Sequence, residues 1–255
     1  MSDNDRFDVS NKVVVITGAT KGLGRGFAFG LARAGARIVV SSRKQDLCDQ
    51  VAAEIADQTG SETLGLVCHV GEWDKIPDFV DRLYDHFGRV DGLINNAGIS
   101  PAFTDLVDMT EDYWDKVFST NLKGPLRLSA LIAPRMRESG GGSIINISSL
   151  GGNHGSPRNS HYSASKSALN RLTESMAAEW APWNIRVNTI SPGAFYTTLV
   201  ENSTRKNPGR LEMLSQGNLL KRIGDPDEAV GLAQFLLSDA SAYVTGSNYE
   251  ISGGR

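Results

Sequence analysis

Val13-Val14-Val15-Ile16-Thr17-Gly18-Ala19-Thr20-Lys21-Gly22-Leu23-Gly24 runs from a β-branched apolar segment straight into a glycine-rich turn. The first four residues read as a buried strand, and the later spacing of Phe27, Leu31 and Ala34 reads as one face of a helix. Glycines at such a junction let backbone N–H groups and the positive end of the helix approach a phosphate, where side chains would block it. Glycine also occurs in tight turns for steric reasons alone. The position after the first strand favours the phosphate reading, with Gly18, Thr20, Lys21, Gly22, Leu23 and Gly24 as the cradle.

The alternation begun here continues along the chain. Strands are expected at Val13 to Thr17, Arg37 to Ser41, Thr63 to Cys68, Gly92 to Ile94, Ser143 to Ile147, Ile185 to Ile190 and Asn248 to Ile251. Between them Ile76, Phe79, Val80 and Leu83 mark a second helix face, and Leu169, Leu172 and Met176 a third. Short strands alternating with amphipathic helices make a parallel sheet covered on both faces. We therefore expect an α/β fold with a doubly wound, seven-stranded parallel sheet, in one domain spanning 1–255. The least regular segment, 192–218, follows the sixth strand, where open α/β sheets place ligand loops, and reads as a lid.

Composition narrows the function. With 26 Lys+Arg against 29 Asp+Glu the formal charge is -3, and no basic run suggests a polyanion surface. Cys48 and Cys68 offer neither a disulfide framework nor metal spacing and read as small buried hydrophobes. The start lacks the apolar core of a signal peptide, and no stretch approaches a membrane span. The expectation is a cytoplasmic protein binding a small molecule, without nucleic acid, membrane or metal.

The second strand ends at Ser41-Ser42-Arg43, with Ser42 lying 18 positions after Gly24. An acid near there would bond an adenosine ribose and repel a 2′-phosphate, whereas an Arg would accept that phosphate. Here the acid is missing. Lys21 and Arg43 therefore favour a 2′-phosphorylated dinucleotide, although both also suit a solvated surface. Further on, Tyr162-Ser163-Ala164-Ser165-Lys166 places Tyr162 and Lys166 on one helix face. A nearby ammonium would favour the phenolate of a group that otherwise ionises near pH 10.

Taken together these motifs resemble the short-chain dehydrogenase/reductase family, over essentially the whole chain. Thr17-Gly18 to Gly24 resembles its cofactor turn, Asn95-Asn96-Ala97-Gly98 its fourth-strand motif and Tyr162 to Lys166 its catalytic pair. Asn121, in Asn121-Leu122-Lys123-Gly124, resembles the family's catalytic Asn. Ser149, 13 positions before Tyr162, resembles its catalytic Ser, leaving Ser148 as a packing or backbone-bonding hydroxyl. Pro192, Gly193 and Thr197 fall where the family holds the nicotinamide carboxamide. The resemblance implies a Rossmann-type fold, NADP(H) in preference to NAD(H), and hydride exchange between nicotinamide and a carbonyl or secondary alcohol. It further implies Tyr162 as acid/base, Ser149 bonding the carbonyl oxygen, Lys166 lowering the Tyr162 pKa and bonding the nicotinamide ribose, and Asn121 holding a water. Homotetramers are the family habit, and Ala164, Ser165, Ala168, Ala177 and Ala178 would let helices pack closely.

Two departures stand out. Cys68-His69-Val70 replaces the Asp-Val with which many members bond the adenine amino group, and His69 when neutral would accept that bond instead. Together with Ser41-Ser42-Arg43-Lys44-Gln45 it resembles an NADPH-linked, carbonyl-reducing subgroup. Ser252-Gly253-Gly254 replaces a more usual Asp-Gly-Gly. Ser100, Phe103, Leu150, His154, Phe195 and Leu199 are the expected substrate pocket. His154 and His161 read as solvated loop residues that could touch substrate. A cofactor-sensing regulator and an epimerase or dehydratase of a related longer group are the rival readings, the first opposed by the intact set Asn121, Ser149, Tyr162 and Lys166.

Overall fold

Val13, Val14, Val15 and Ile16 are all inaccessible to solvent, as befits a strand covered on both faces. Val14 and Ile16 join one apolar layer and Val13 and Val15 the other, the two-residue period of a strand placed between two sets of helices. The computed structural model describes residues 6–100, 104–155, 157–197, 200 and 209–254.

The elements in chain order are β1 (Val13–Thr17), α1 (Gly22–Arg33), β2 (Arg37–Ser42), α2 (Gln45–Thr59), β3 (Thr63–Val67), α3 (Ile76–Phe87) and β4 (Gly92–Asn95). There follow α4 (Glu111–Phe118), α5 (Gly124–Glu138), β5 (Gly142–Ile147), α6 (Ser160–Trp180), β6 (Ile185–Pro192), α7 (Arg210–Gln216), α8 (Val230–Leu237) and β7 (Asn248–Ile251). All seven strands run parallel in the order β3-β2-β1-β4-β5-β6-β7. Helices α1, α2 and α8 supply Phe27, Leu31, Ile55 and Leu236 to one layer. The other layer takes Phe79 and Leu83 from α3, Leu128 and Ile132 from α5 and Met176 from α6.

This is the doubly wound, Rossmann-type sheet expected, with strand ends shifted by at most two residues. The largest shift is at β6, which continues through Ser191 and Pro192 because those residues pair with Glu250 and Ile251 of β7. Beneath the sheet's C-terminal ends runs a buried polar row. Asn95 donates to Ser129 Oγ at 3.0 Å and to Asn146 Oδ1 at 2.8 Å. Asn146 and Thr189 both donate to Thr173 Oγ1 of α6, at 2.8 and 3.0 Å. The chain reverses its direction of winding between β1 and β4, so their C-terminal ends, at Thr17 and Asn95, open a crevice where such sheets bind ligands.

Candidate active site

The glycine turn fills one side of this crevice. Gly18 has φ +65°, and a Cβ there would lie 3.0 Å from both Ala97 Cα and Asn96 Nδ2. Asn96 Nδ2 donates to the carbonyls of Thr17 (2.8 Å) and Gly18 (3.2 Å), while Thr17 Oγ1 accepts the N–H groups of Asn96 and Ala97. The turn is thus laced to β4. Helix α1 opens at Gly22, so Gly22, Leu23 and Gly24 supply first-turn amides that lack helical acceptors, a ready anion site. Thr197 packs over the turn, its methyl 3.3 Å from where a Cβ of Gly22 would stand.

At the end of β2, Thr20 Oγ1 donates to Ser42 Oγ at 3.2 Å. Lys21 and Arg43 are exposed to either side, and neither takes part in an ion pair among the described residues. A dinucleotide fits this arrangement, with its pyrophosphate at the glycine turn. Val70 is buried, its carbonyl against Gly124, and Gly193 donates its N–H to Ile251 O at 2.9 Å.

Opposite lie the four candidate catalytic residues. Asn121 sits in a π-helical turn, Ser119–Lys123, between α4 and α5. Its Oδ1 accepts Ile99 N–H at 2.8 Å, and its Nδ2 donates to Ile99 O at 2.9 Å and Ser165 Oγ at 3.1 Å. Both amide hydrogens are therefore engaged, and Ser165 in turn donates to Tyr162 O at 2.7 Å. Ser149 caps a short 3-10 turn, accepting Gly151 N–H at 3.1 Å, and its hydroxyl and the Tyr162 ring both stand beside Gly151. Lys166, one turn beyond Tyr162 on α6, is buried with Nζ donating to Ile147 O at 2.7 Å.

The electrostatics correct one expectation. Burial pushes the Tyr162 phenol above its ordinary value, opposed only by the neighbouring Ser149 hydroxyl, and burial pushes Lys166 down to about 8. The ammonium is held by the Ile147 carbonyl and stands 5.9 Å from the Tyr162 ring centre. Tyr162 in this state is a neutral acid with a second hydroxyl beside it. Such a pair can donate to one carbonyl oxygen.

Other expected positions fall elsewhere. Asn95, placed among the cofactor ligands, is buried beneath the sheet in the polar row. Phe195, placed in the substrate pocket, belongs to the core, its ring packed on Gly224 with which it forms an isolated bridge. His161 is no loop residue: it lies in the first turn of α6, fully buried and edge-on to Tyr113 at 5.1 Å between ring centres. Neither of its nitrogens has a hydrogen-bond partner, and burial lowers its pKa. His154 is exposed after the Ser149 turn, and Ser100 follows Ile99 at the crevice. Leu150 lines a cavity of about 190 Å³ with Gly193, Ala194 and residues of α7. Phe103 and Leu199 lie outside the described residues.

Three contributors went unassigned in the sequence: Thr17, Asn96 and Ser165. The last was legible, since a Ser three residues after Tyr162 on a helix reaches back to its carbonyl. Ser148 donates to Lys166 O at 3.2 Å. A larger cavity of about 510 Å³, lined by Lys12, Asp91, Gly142 and Arg186, lies at the opposite, N-terminal ends of the strands and is remote from this chemistry. Cys48 and Cys68 are buried free thiols, pushed by burial up to about 11 and about 12. Among the described residues no group of His, Cys, Asp and Glu could hold a metal, and no helix is long and apolar enough to cross a membrane.

A phosphate-binding turn at the switch point, facing a neighbouring Tyr and Ser with a buried Lys behind them, defines a dinucleotide-binding oxidoreductase. A family model described as enoyl-(acyl carrier protein) reductase matches residues 18–255. Dehydrogenase/reductase SDR family member 4 of Sus scrofa is 36% identical over 249 residues, covering 98% of this chain and 88% of the relative. Among solved structures, a gluconate 5-dehydrogenase from Burkholderia cenocepacia in complex with NADP and tartrate is 32% identical with TM-score 0.92, covering 98% of this chain and 96% of that one. NAD+-bound xylitol dehydrogenase is 30% identical with TM-score 0.90, covering 96% and 99%. The chain belongs to the short-chain dehydrogenase/reductase family.

Proposed function

We propose that the chain is an NADP(H)-preferring oxidoreductase that interconverts a carbonyl compound and its alcohol, with Tyr162 as general acid/base. The observation that carries this reading is the meeting of Tyr162 and Ser149 around Gly151, with Lys166 buried behind them. In the reducing direction Tyr162 donates a proton to the carbonyl oxygen while Ser149 donates a hydrogen bond to it. The nicotinamide supplies the hydride, chemistry that belongs to the cofactor. Lys166 then supports the phenolate, for which it must exchange the Ile147 carbonyl for the Tyr162 side of the pocket and for a ribose hydroxyl. Asn121 holds Ile99 and Ser165 in place around Tyr162, and because its amide hydrogens are taken, any water it retains must donate to its oxygens or accept from its backbone N–H.

The backbone alone does not select the cofactor, since structures this similar are named with NADP and with NAD+. Selection must reside in side chains, and here Lys21 and Arg43 flank the end of β2 with no carboxylate at Ser42. A homotetramer belongs to the same reading, supported by the exposed apolar Leu106, Val107 and Tyr243 that a partner subunit would cover. A cytoplasmic setting is supported by the two unpaired thiols.

The test is cofactor consumption over panels of ketones, aldehydes, sugars and secondary alcohols with NADPH and NADH. Turnover of at least one class, faster with NADPH, is expected. Tight NADPH binding with no turnover across the panels would instead identify a cofactor sensor.

A further inference from the structure

Ser149 lies between two anchors of different kinds. Before it, Ser148 is held by the sheet and by α6, its N–H donating to Ile190 O at 2.8 Å and its Oγ to Lys166 O at 3.2 Å. After it come Leu150, Gly151 and Gly152, and the two glycines have no side chain with which to grip a neighbour. Ser167 Oγ donates to the Gly152 carbonyl at 2.5 Å, and the next side chain able to hold the turn is that of Asn153.

Asn153 closes the turn, its N–H donating to Leu150 O at 3.0 Å. Its Nδ2 donates to Glu250 Oε1 at 2.6 Å, and its Oδ1 accepts from Nδ2 of Asn170 at 3.1 Å and of Asn248 at 3.2 Å. Asn170 lies four residues beyond Lys166 and eight beyond Tyr162 on α6, so the three share a helix face. It is buried, its Oδ1 has no partner, and Asn153 is the one hydrogen-bond partner of its side chain among the described residues. Packing alone would not select a buried amide. Asn248 and Glu250 are alternate residues of the edge strand β7 and so face the same side of the sheet. Asn248 is itself held, its Oδ1 accepting from Ser191 Oγ at 2.7 Å. One side chain therefore ties the Ser149 turn to both α6 and β7.

We infer that Asn153 is a positioning residue, which through Asn170 and Glu250 fixes the Ser149 turn against the face of α6 that carries Tyr162. The inference rests on the reading of Ser149 and Tyr162 proposed above. Ser149 Oγ and Tyr162 Cε1 lie 3.5 and 3.7 Å from the place that a Cβ of Gly151 would occupy, so a shift of the turn changes how the two hydroxyls converge. Displacing a reacting group by about 1 Å can cost about a hundredfold in rate.

Reversing one bond tests it. Asn153→Asp sets a second carboxylate against Glu250 while keeping an acceptor for Asn170 and Asn248, and adding Glu250→Gln supplies a donor that restores the bond in the opposite direction. Turnover is followed with NADPH and the carbonyl compound that wild type reduces fastest in the panels above. Asn153→Asp should lower kcat about ten- to a hundredfold and leave the NADPH Kd within about threefold. The double variant should return to within about threefold of wild type. Glu250→Gln alone leaves an acceptor for Asn153 and should cost less than Asn153→Asp. Hydrogen exchange in the free proteins should follow the same order, the amides of Gly151, Gly152 and Asn153 exchanging faster in Asn153→Asp and slowing again in the double variant, with α6 unchanged.

An unchanged kcat in Asn153→Asp, a double variant no better than the single, or exchange indifferent to both substitutions would overturn the inference and leave the reading of Tyr162 intact. NADPH binding lost in step with kcat would also overturn it, since that marks a general disturbance of the fold. Wild-type turnover that survives Tyr162→Phe would instead overturn the reading on which it rests.

Discussion

The two sides of the crevice are built in opposite ways. On the β1–β2 side the candidate recognition groups Lys21 and Arg43 are exposed and make no ion pair among the described residues. On the opposite side three of the four candidates are held by hydrogen bonds within the chain: Asn121 by Ile99 and Ser165, Ser149 by Gly151, and Lys166 by Ile147. The contrast follows from what each side must do. On the proposed reading a dianionic 2′-phosphate brings its own charge, and two exposed cations would close on it from water. Proton transfer needs hydroxyls already in place, which water-exposed side chains would not provide.

Breaking the fixed side should have the largest effect. Tyr162→Phe removes the transferable proton and keeps the ring, so kcat should fall about a thousandfold, within the range of general acid/base catalysis. NADPH affinity should stay within a few-fold. Single-turnover absorbance and fluorescence titration measure the two, and near-wild-type turnover would remove Tyr162 from the mechanism.

On the mobile side the expected effect is smaller and selective. Arg43→Leu removes one charge-assisted hydrogen bond, about 1.5 kcal/mol or more, which is about tenfold in NADPH affinity. NADH, lacking the phosphate, should scarcely change. Adding Ser42→Asp places a carboxylate against the phosphate and should reverse the preference. The ratio of kcat/KM for NADPH and NADH reports this, and an unchanged ratio in the double variant would place both residues in solvent.

The smallest effect sharpens the comparison at the edge of the fixed side. His161 has its pKa lowered by burial, so the folded protein resists a proton that the unfolded chain accepts below about pH 6.5. Stability is then fully present above that pH and declines as pH falls toward the folded value. His161→Leu removes two unpartnered nitrogens from the interior and should leave stability at pH 7 within about 1 kcal/mol. It should also flatten the decline below pH 6.5, as urea unfolding at several pH values would show.

What was legible follows the same division between local and distant causes. Strand positions were readable because β-branched runs and glycine turns act on adjacent residues, and six of the strands needed no more than a one-residue adjustment. β6 ran further because its last two pairings are with β7, about 60 residues on. Phe195 read as a pocket residue because its loop follows β6, yet Gly224 leaves the space that draws its ring into the core. His161 read as solvated beside a polar loop, but Tyr113 of α4 covers it. In each case the deciding neighbour lies tens of residues away and leaves no local trace. The Tyr162–Lys166 spacing was correct as geometry, but spacing does not show the burial that raises the phenol.

The buried row from Ser129 through Asn95, Asn146 and Thr173 to Thr189 has a consequence for how faithfully the chain assembles. Asn95 pairs with Asn146 and Asn146 with Thr189 in the sheet register. A slip of β5 by one residue would turn Asn146 to the opposite, apolar layer and leave its neighbours' polar groups without partners, at about 1–3 kcal/mol each. Apolar residues alone would tolerate such an error more cheaply, since Ile144, Ile145 and Ile147 suit either layer. Mispaired chains are thus rejected by their amides, and because Ser149 follows Asn146 by three residues, the same discrimination guards the aim of the Ser149 hydroxyl.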